Sequence, residues 1–439
     1  MPSTLAQENR MFGAAQLRLP LDADNDFASC ETDVGAAPSF SLDGQHIFKH
    51  VRRRNGTLAT SAVLRTAESG DLAADFDLSW LRSRAISSVK THGKALRVAD
   101  LFAGCGAMSL GAREAGRALQ LPLDFALAAE LDPIKAGVYA RNLEPKEMLV
   151  GPLENVVDGH PGEPATAAER ELVGRVGKID ILLGGPPCQG HSDLNNHTRR
   201  NDVRNQLVTR MARFAELFSP AYVILENVQG VRHDRLQVAT ATATQLAGLN
   251  YTVEEILLDC ITLGVPQRRR RYMLVAKRGG QLGLNDALAA INLPPRPVSW
   301  ALADLLELEA EDTFNTSAVH SAENERRIRF LFEQDIYDLP DEERPACHRT
   351  KTHSYRSVYG RMSWNQPAQT ITTGFGSTGQ GRFVHPLRPR TLTPHEAARL
   401  QTVPDFFDFG EPGRTQLQKM IGNSVPPLAM AAVATQLLR

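Results

Sequence analysis

The sequence predicts an α/β fold, a mostly parallel sheet covered by helices on both faces and interrupted by a loop-rich insert. Three observations carry this reading. Short apolar runs that read as buried strands alternate with helical patterns between Leu96 and Ala276. Several of these runs stop at glycine, proline or an acid, the punctuation expected where a strand ends. The alternation dissolves near Gly279 into proline-rich and charged text and returns at Thr391, which leaves about 110 residues outside the sheet.

In chain order, residues 1–93 show no strong periodicity and their first 45 are polar and turn-rich. They are expected to be a partly disordered extension with a small helical piece near Phe76–Ile86; their role is not legible. Leu96–Phe102 reads as a strand, Ala103-Gly104-Cys105-Gly106 as a tight turn, and Met108–Leu119 as a helix with Leu110 and Ala115 on one face. A second strand, Phe125–Ala129, ends at Glu130-Leu131-Asp132-Pro133. Further strands are expected at Lys178–Leu183, Tyr222–Leu225, Val253–Leu258 and Tyr272–Ala276. Thr393-Pro394-His395-Glu396 has capping-box spacing with proline at the first helical position, so a helix over Pro394–Gln401 follows. A last helix runs through Leu428–Leu438. The resulting partition is an extension (1–93), a catalytic α/β domain (94–280), an insert (281–385) and a C-terminal return to the catalytic domain (386–439).

Composition narrows the class. With 42% hydrophobic and 23% charged residues the chain reads as a soluble globular protein. Its five cysteines are odd in number, far apart and form no C-x-x-C pair, which favours a reducing, cytoplasmic setting and no structural metal. Neither a signal peptide nor an 18-residue apolar run is present, so no membrane association is expected. The net charge of −1 hides an asymmetry: residues 301–343 carry thirteen acids against three arginines, and residues 344–390 carry eight basic residues and no acid. The basic stretch is dotted with Tyr355, Tyr359, Trp364, Phe375 and Phe383. It reads either as a nucleic-acid face or as an unevenly charged solvated surface.

The most informative stretch is Gly184-Gly185-Pro186-Pro187-Cys188-Gln189-Gly190-His191-Ser192. Two prolines cannot extend a sheet, so Cys188 is displayed on a stiff turn at a strand's carboxyl end, where open α/β sheets place reactive groups. It is either a nucleophile or a small buried hydrophobe. Glu226 closes the next strand beside it. A carboxylate cannot stabilise a neighbouring thiolate, and no histidine partner is in motif context, so the pair suits addition of the thiol to a ring whose proton the acid handles. Glycines at 104 and 106 allow close approach of a ligand, and Glu130 is placed to accept both hydroxyl protons of a ribose. Only two of the three glycines of a dinucleotide fingerprint are present, which favours a nucleoside without phosphates. Along Gln267–Arg271, alternation puts Gln267, Arg269 and Arg271 on one side and Arg268 and Arg270 on the other. At least one set needs a partner.

Together these segments resemble the cytosine-5 DNA methyltransferase family. DLFAGCG, Glu130, GGPPCQGHS, Glu226-Asn227-Val228, Gln267–Arg271, Arg390–Phe407 and Gln418–Pro426 occur in the family's order over about 95–280 and 385–439. The resemblance implies a Rossmann-like S-adenosylmethionine-dependent methyltransferase sheet with an inserted target-recognition domain. It implies Cys188 as nucleophile, Glu226 as the acid at ring N3, Arg269 as the arginine that orients base and carboxylate, and catalytic support from Arg271 and Gln189. The cofactor, released as S-adenosylhomocysteine, would meet Asp100, Phe102, Ala103, Gly104, Gly106, Glu130, Leu131, Pro186, Asn423, Ser424 and Val425. Double-stranded DNA would meet Ser192, Arg199, Arg200 and Arg204 on a mobile lid (Gly190–Leu207) and the pair Thr370-Ile371 in the insert. Three positions depart from the pattern. Ala107 stands for a frequent glycine, His191 for the usual phenylalanine, and Gly151–Glu154 lacks a clean Gly-Asp pair, which leaves the reader of the adenine amino group unassigned.

The implied activity is methylation of carbon 5 of a flipped-out cytosine by a monomeric, DNA-associated enzyme, in a restriction-modification system or alone. The former would bring a cognate restriction endonuclease as partner. The alternatives are an RNA cytosine methyltransferase, whose distinctive Cys-Phe-Thr element is not found after Asn227-Val228, and a catalytically silent DNA-binding regulator, against which the intact Cys188, Glu226 and Arg269 argue.

Overall fold

The computed structural model describes residues 37–86, 88–187, 207–233, 237–349 and 357–439. Strands β1 (Ser39–Asp43), β2 (His46–Arg52) and β3 (Leu58–Leu64) form an antiparallel meander, against which α1 (Leu72–Leu81) packs. The main body follows as β4 (Leu96–Leu101), α2 (Ala107–Ala118), β5 (Leu123–Glu130), α3 (Pro133–Leu143), β6 (Met148–Val150), α4 (Ala167–Val176) and β7 (Ile181–Gly184). It continues with α5 (Leu207–Phe218), β8 (Tyr222–Asn227), α6 (Val238–Gly248), β9 (Tyr251–Asp259), β10 (Gln267–Arg268) and β11 (Arg270–Arg278). Beyond it lie α7 (Leu284–Ala289), α8 (Val298–Leu302), α9 (Ala322–Glu333), α10 (Ala346–Arg349) and β12 (Ala368–Gln369). The chain ends with α11 (Pro394–Leu400), α12 (Arg414–Asn423) and α13 (Pro427–Leu438).

Seven strands form the central sheet in the order β6-β5-β4-β7-β8-β11-β9. Neighbours from β6 to β8 are parallel, and β11 is antiparallel to both β8 and β9. The reversal has a local cause. Between Asp259 and Arg270 the chain has only a 3-10 turn and β10, too little to cross back to the far end of the sheet, so the next long strand must run the other way.

Strand alternation sorts the core into two layers. Val98, Ile181, Leu183, Ile224, Met273 and Val275 face α2 and α13, while Ala99, Leu101, Leu182, Val223, Leu225 and Leu274 face α5 and α6. Helices α2 and α13 touch closely at Gly111, where a Cβ would lie 2.6 Å from Met430 Cβ and 2.7 Å from Pro427 O. A third cluster joins α8 and residues 362–383 to α11 and α12. The expected capping box is present. Thr393 Oγ1 accepts the Glu396 N–H at 3.1 Å, and Glu396 Oε2 accepts the Thr393 N–H at 2.9 Å, an arrangement that contributes about 1 kcal/mol.

The N-terminal region differs from the sequence reading. Where no periodicity was legible before residue 70, three paired strands are present, and the helix begins at Leu72 rather than near Phe76. This unit belongs to the core, since Ile47, Val63, Phe76, Trp80 and Leu81 pack in the same cluster as α2 and α13.

Candidate active site

Strand order reverses between β4 and β7. From β4 the chain moves outward to β5 and β6, then returns to place β7 on the other side of β4. Helix α2 after β4 and helix α5 after β7 pack on opposite faces of the sheet, the switch point at which open α/β sheets hold ligands in a crevice at the strands' carboxyl ends. Leu101 is in register with Gly184, and the Gly185 N–H reaches the Leu101 carbonyl at 3.3 Å. The turn after β4 and the turn leading to Cys188 are therefore neighbours.

On the first side of the crevice, the turn takes Phe102, Gly104 and Gly106 through positive φ values of 57°, 59° and 96°. Gly106 is also sterically confined, since a Cβ there would lie 2.5 Å from Leu143 Cδ1 and 2.9 Å from Tyr139 Cδ2. Glu130 locks the turn to β5. Its Oε2 accepts the Gly104 N–H at 2.8 Å and its Oε1 accepts the Asp132 N–H at 3.0 Å, with Lys135 Nζ at 3.7 Å. A carboxylate has about four lone-pair sites, so two backbone donors leave it able to take a diol.

Around Glu130 three apolar side chains stand in solvent: Leu131 (65% exposed), Ile134 (43%) and Val150 (54%). Val150 is in register with Glu130 across β5 and β6. Exposed aliphatic groups gathered at strand ends suit the faces of a flat ring. The sequence reading included Leu131 and missed Ile134 and Val150. Ile134 follows Pro133 in the first turn of α3 and Val150 closes a three-residue strand, positions with no binding signal of their own in the sequence.

Beneath the turn, Asp100 is buried, accepting a hydrogen bond from Ser109 Oγ at 2.7 Å; Ser109 Oγ lies 2.9 Å from the Tyr139 hydroxyl. Burial pushes the Asp100 carboxyl up to about 7, with the Ser109 bond opposing and the Glu130 charge adding. Asp100 thus braces the turn from inside. The segment between α12 and α13 closes over the same turn. Ser424 Oγ lies 3.8 Å from Cys105 Sγ, Ser424 and Val425 are buried, and Asn423 is exposed. Glu130→Ala is expected to weaken adenosyl-ligand binding by one or two charge-assisted hydrogen bonds, about 1.5–3 kcal/mol each, as read by calorimetry. Unchanged affinity would remove Glu130 from the site.

On the second side, the parallel register of Gly184 with Leu225 sets Gly185 beside Glu226. A Cβ on Gly185 would stand 3.7 Å from Glu226 Oε2, in van der Waals contact with the carboxylate. Asn227 Nδ2 donates to the Pro186 carbonyl at 3.4 Å, tying the end of β8 to the proline turn. Cys188, Gln189, Ser192, Arg199, Arg200 and Arg204, with the Gly190–Leu207 segment up to Gln206, lie outside the described residues.

The Glu226 side chain is 12% exposed and forms an ion pair with Arg271, Nε to Oε1 at 2.8 Å. Burial holds its carboxyl above the usual range, against the lowering fields of Arg271 and Arg269. The observed division of labour between the arginines differs from the sequence reading, in which Arg269 orients the carboxylate. Arg271 pairs with it. Buried Arg269 instead donates Nη1 to the Ile371 carbonyl at 2.9 Å and Nη2 to those of Gly422 (3.2 Å) and Ser424 (2.9 Å). The expected alternation of side chains holds, with Gln267 and Arg269 buried and Arg268 and Arg270 exposed. The break between β10 and β11 at Arg269 sends the two inward arginines to different partners. Burial pushes the Cys105 and Cys260 thiols up to about 11, so neither supplies a thiolate at neutral pH.

One expectation about the DNA side is corrected. Ile371 is completely buried in the third core cluster, and its contribution here is its backbone. Thr370 is partly exposed, its hydroxyl donating to the Arg268 carbonyl at 2.6 Å. Three arginines of the basic window pair with acids of the acidic window. Arg344 meets Asp341 at 3.5 Å, Arg361 meets Asp335 at 3.1 Å and Arg382 meets Asp338 at 2.5 Å. Arg390 pairs with Glu396, and Arg388 donates to the Leu306 carbonyl. Arg349 stands exposed, while Lys351 and Arg356 lie outside the described residues. Among the described residues no cluster of histidine, cysteine and carboxylate side chains could hold a metal.

Residues 96–439 match the family described as C-5 cytosine-specific DNA methylase. The Type II methyltransferase M1.BsuMI of Bacillus subtilis is 46% identical over 405 residues, 91% of this chain and 95% of that protein. The Type II methyltransferase M.XorII of Xanthomonas oryzae pv. oryzae is 29% identical over 374 residues, 77% and 84% of the two chains. Among solved structures, the S. pombe Dnmt2 methyltransferase superposes with a TM-score of 0.54 over 79% of this chain and 98% of that one. At 17% identity it is a likeness of fold alone.

Proposed function

The chain belongs to the C-5 cytosine-specific DNA methylase family and is an S-adenosylmethionine-dependent DNA cytosine-5 methyltransferase; from that premise we propose the roles its residues take and the system it serves. The observation that carries the assignment is the half-buried Glu226–Arg271 pair beside Gly185, with only strand β7 between β8 and the strand that leads into the Glu130-locked turn. The residues fit an adenosyl sulfonium. Glu130 has acceptor capacity for the ribose diol, Leu131, Ile134 and Val150 offer faces for adenine, and Phe102–Gly106 with Pro186 and Asn423–Val425 enclose the rest. When bound, this group supplies the methyl that carbon 5 receives.

Cytosine carbon 5 is a poor nucleophile. Cys188 sulfur adds at carbon 6 while the Glu226 carboxyl gives its proton to, or shares it with, N3, and the ring becomes an enamine nucleophilic at carbon 5. After methyl transfer a base removes the carbon-5 proton, the carbon–sulfur bond breaks and the thiolate leaves. Arg271 holds the carboxyl in place, and Gln189 gives catalytic support beside the nucleophile in sequence. None of this chemistry is reachable in a stacked duplex, so the base is flipped out. Ser192, Arg199, Arg200 and Arg204 then close on the DNA backbone. Residues 281–385, with Thr370 at their inner edge, read the target sequence.

Both relatives above bear the name Type II methyltransferase, which supports a restriction-modification role with a cognate endonuclease as partner. One chain carries the residues proposed for the nucleophile, the acid at N3 and the cofactor site, in keeping with a monomer acting on cytoplasmic DNA. Bisulfite sequencing of host DNA with and without the gene tests the activity and reports the target motif. Exchanging residues 281–385 for those of a relative is then expected to change the motif and leave the chemistry intact. An unchanged motif would move recognition elsewhere, with the N-terminal extension next in line.

A further inference from the structure

Two glutamines that the reaction does not use sit fully buried between the insert and the C-terminal helices. Gln267 Oε1 accepts the Ile371 N–H at 3.0 Å, and its Nε2 donates to the Leu400 carbonyl and to Gln401 Oε1, both at 2.8 Å. Gln401 Nε2 donates to the Ile421 carbonyl at 2.7 Å. The polarity runs one way. The backbone N–H of Ile371 fixes which end of Gln267 accepts, that fixes which end of Gln401 accepts, and a flip of either amide would set like against like.

Arg269 brackets the same residue from its carbonyl side and holds the Gly422 and Ser424 carbonyls with its other nitrogen. Gly422 adds a steric link, because a Cβ there would collide with the backbone of Thr372 and Thr373. The insert segment 370–373 and the turn 422–425 therefore share one set of buried bonds. Buried amides are costly to leave unpaired, so this junction resists partial rearrangement.

We propose that Gln401 is a positioning residue that couples the insert to the cofactor-side turn, so that DNA seated on the insert tightens the cofactor site. Gln401 itself stands between Gln267 and Ile421 and acts through them. The inference rests on the reading that Thr370 faces DNA and that Asn423–Val425 face the cofactor.

The experiment measures S-adenosylhomocysteine affinity calorimetrically, with enzyme alone and with enzyme saturated by a duplex carrying the site that bisulfite sequencing reports. Wild type is expected to bind about tenfold tighter with the duplex present. Gln401→Met, which keeps the volume and removes both hydrogen bonds, is expected to bring that ratio near one while the affinity without DNA stays within about twofold. Gln401→Glu keeps the acceptor toward Gln267 and loses the donor toward Ile421, so its ratio is expected to fall in between. If the methionine variant does not fold, the glutamate variant decides by the same ratio. A wild-type ratio of one, or a ratio unchanged in the folded variants, would overturn the coupling. Thr370→Ala and Asn423→Ala test the underlying reading separately. If neither lowers affinity, for DNA and for S-adenosylhomocysteine respectively, the site assignment fails rather than the coupling.

Discussion

Cys188→Ser is expected to abolish covalent capture of a duplex whose target cytosine carries fluorine at carbon 5, and to lower methylation by about 10³-fold or more. By the proposed mechanism the wild-type sulfur adds at carbon 6 and carbon 5 takes the methyl. The cycle then needs a proton to leave carbon 5. Fluorine cannot leave as a cation, so elimination is blocked and the carbon–sulfur bond stays. A serine hydroxyl is far too weakly acidic to replace the thiol without an adjacent base. The carboxyl of Glu226 is held above its usual range by burial and is poorly suited to take a proton from it. Nor do Cys105 and Cys260 offer a substitute, both being buried thiols pushed up to about 11. A denaturing gel reads the result. Wild type with S-adenosylmethionine gives a retarded band, wild type without it gives none, and Cys188→Ser gives none. An adduct with the serine variant, or a wild type that methylates ordinary DNA and never traps, would sink the mechanism.

Much of the main sheet was legible because its strands are buried on both faces and end in residues that cannot continue them. β4, β5, β7 and β8 are apolar runs closed by Phe102-Ala103-Gly104, Glu130, Gly185-Pro186 and Glu226-Asn227. The meander was hidden because its half-buried positions are polar letters with partners. Lys49 lies over Phe76, and His50 bonds Ser41 and Thr60. Helix α1 was obscured for the same reason. Its buried Asp75 is satisfied by Ser69 and Arg65, and its Asp77 by Arg296 nearly 220 residues away. No local pattern announces such a partner.

The charge windows are separate only along the chain: in space Asp341, Asp335 and Asp338 of the acidic window pair with Arg344, Arg361 and Arg382 of the basic one. At the site, residue types gave the constellation but not the wiring. Alternation put Arg269 and Arg271 on one side, and only the break in the strand between β10 and β11 decides which of them meets Glu226. Ile371 was read from a Thr-hydrophobe pair as a DNA contact. Its apolar side chain serves the core, and its peptide serves Gln267 and Arg269.

Arg271→Ala is expected to lower kcat by about 10²–10⁴-fold and to move the alkaline limb of its pH profile upward. Burial raises the Glu226 carboxyl above its ordinary value, and Arg271 is the largest influence holding it down. A raised carboxyl keeps its proton to higher pH and loses it as pH climbs through the shifted value. If the protonated acid is the form that serves N3, kcat falls on the alkaline side. Removing the Arg271 charge raises the carboxyl further, so the fall begins at higher pH, while the lost ion pair at 2.8 Å leaves the acid poorly aimed and the maximum low. Glu226→Gln separates the two effects. It fills the same space, cannot deliver a proton and leaves the guanidinium without its anion, so its rate is expected to be low and flat where wild type bends. Arg271→Lys keeps a charge without the planar fork and is expected to restore the position of the limb more fully than the height of the maximum. The measurement is single-turnover methylation of the cognate duplex across pH with saturating S-adenosylmethionine. A limb that stays put in Arg271→Ala, or that survives in Glu226→Gln, would assign the titration to another group and take the proton at N3 away from Glu226.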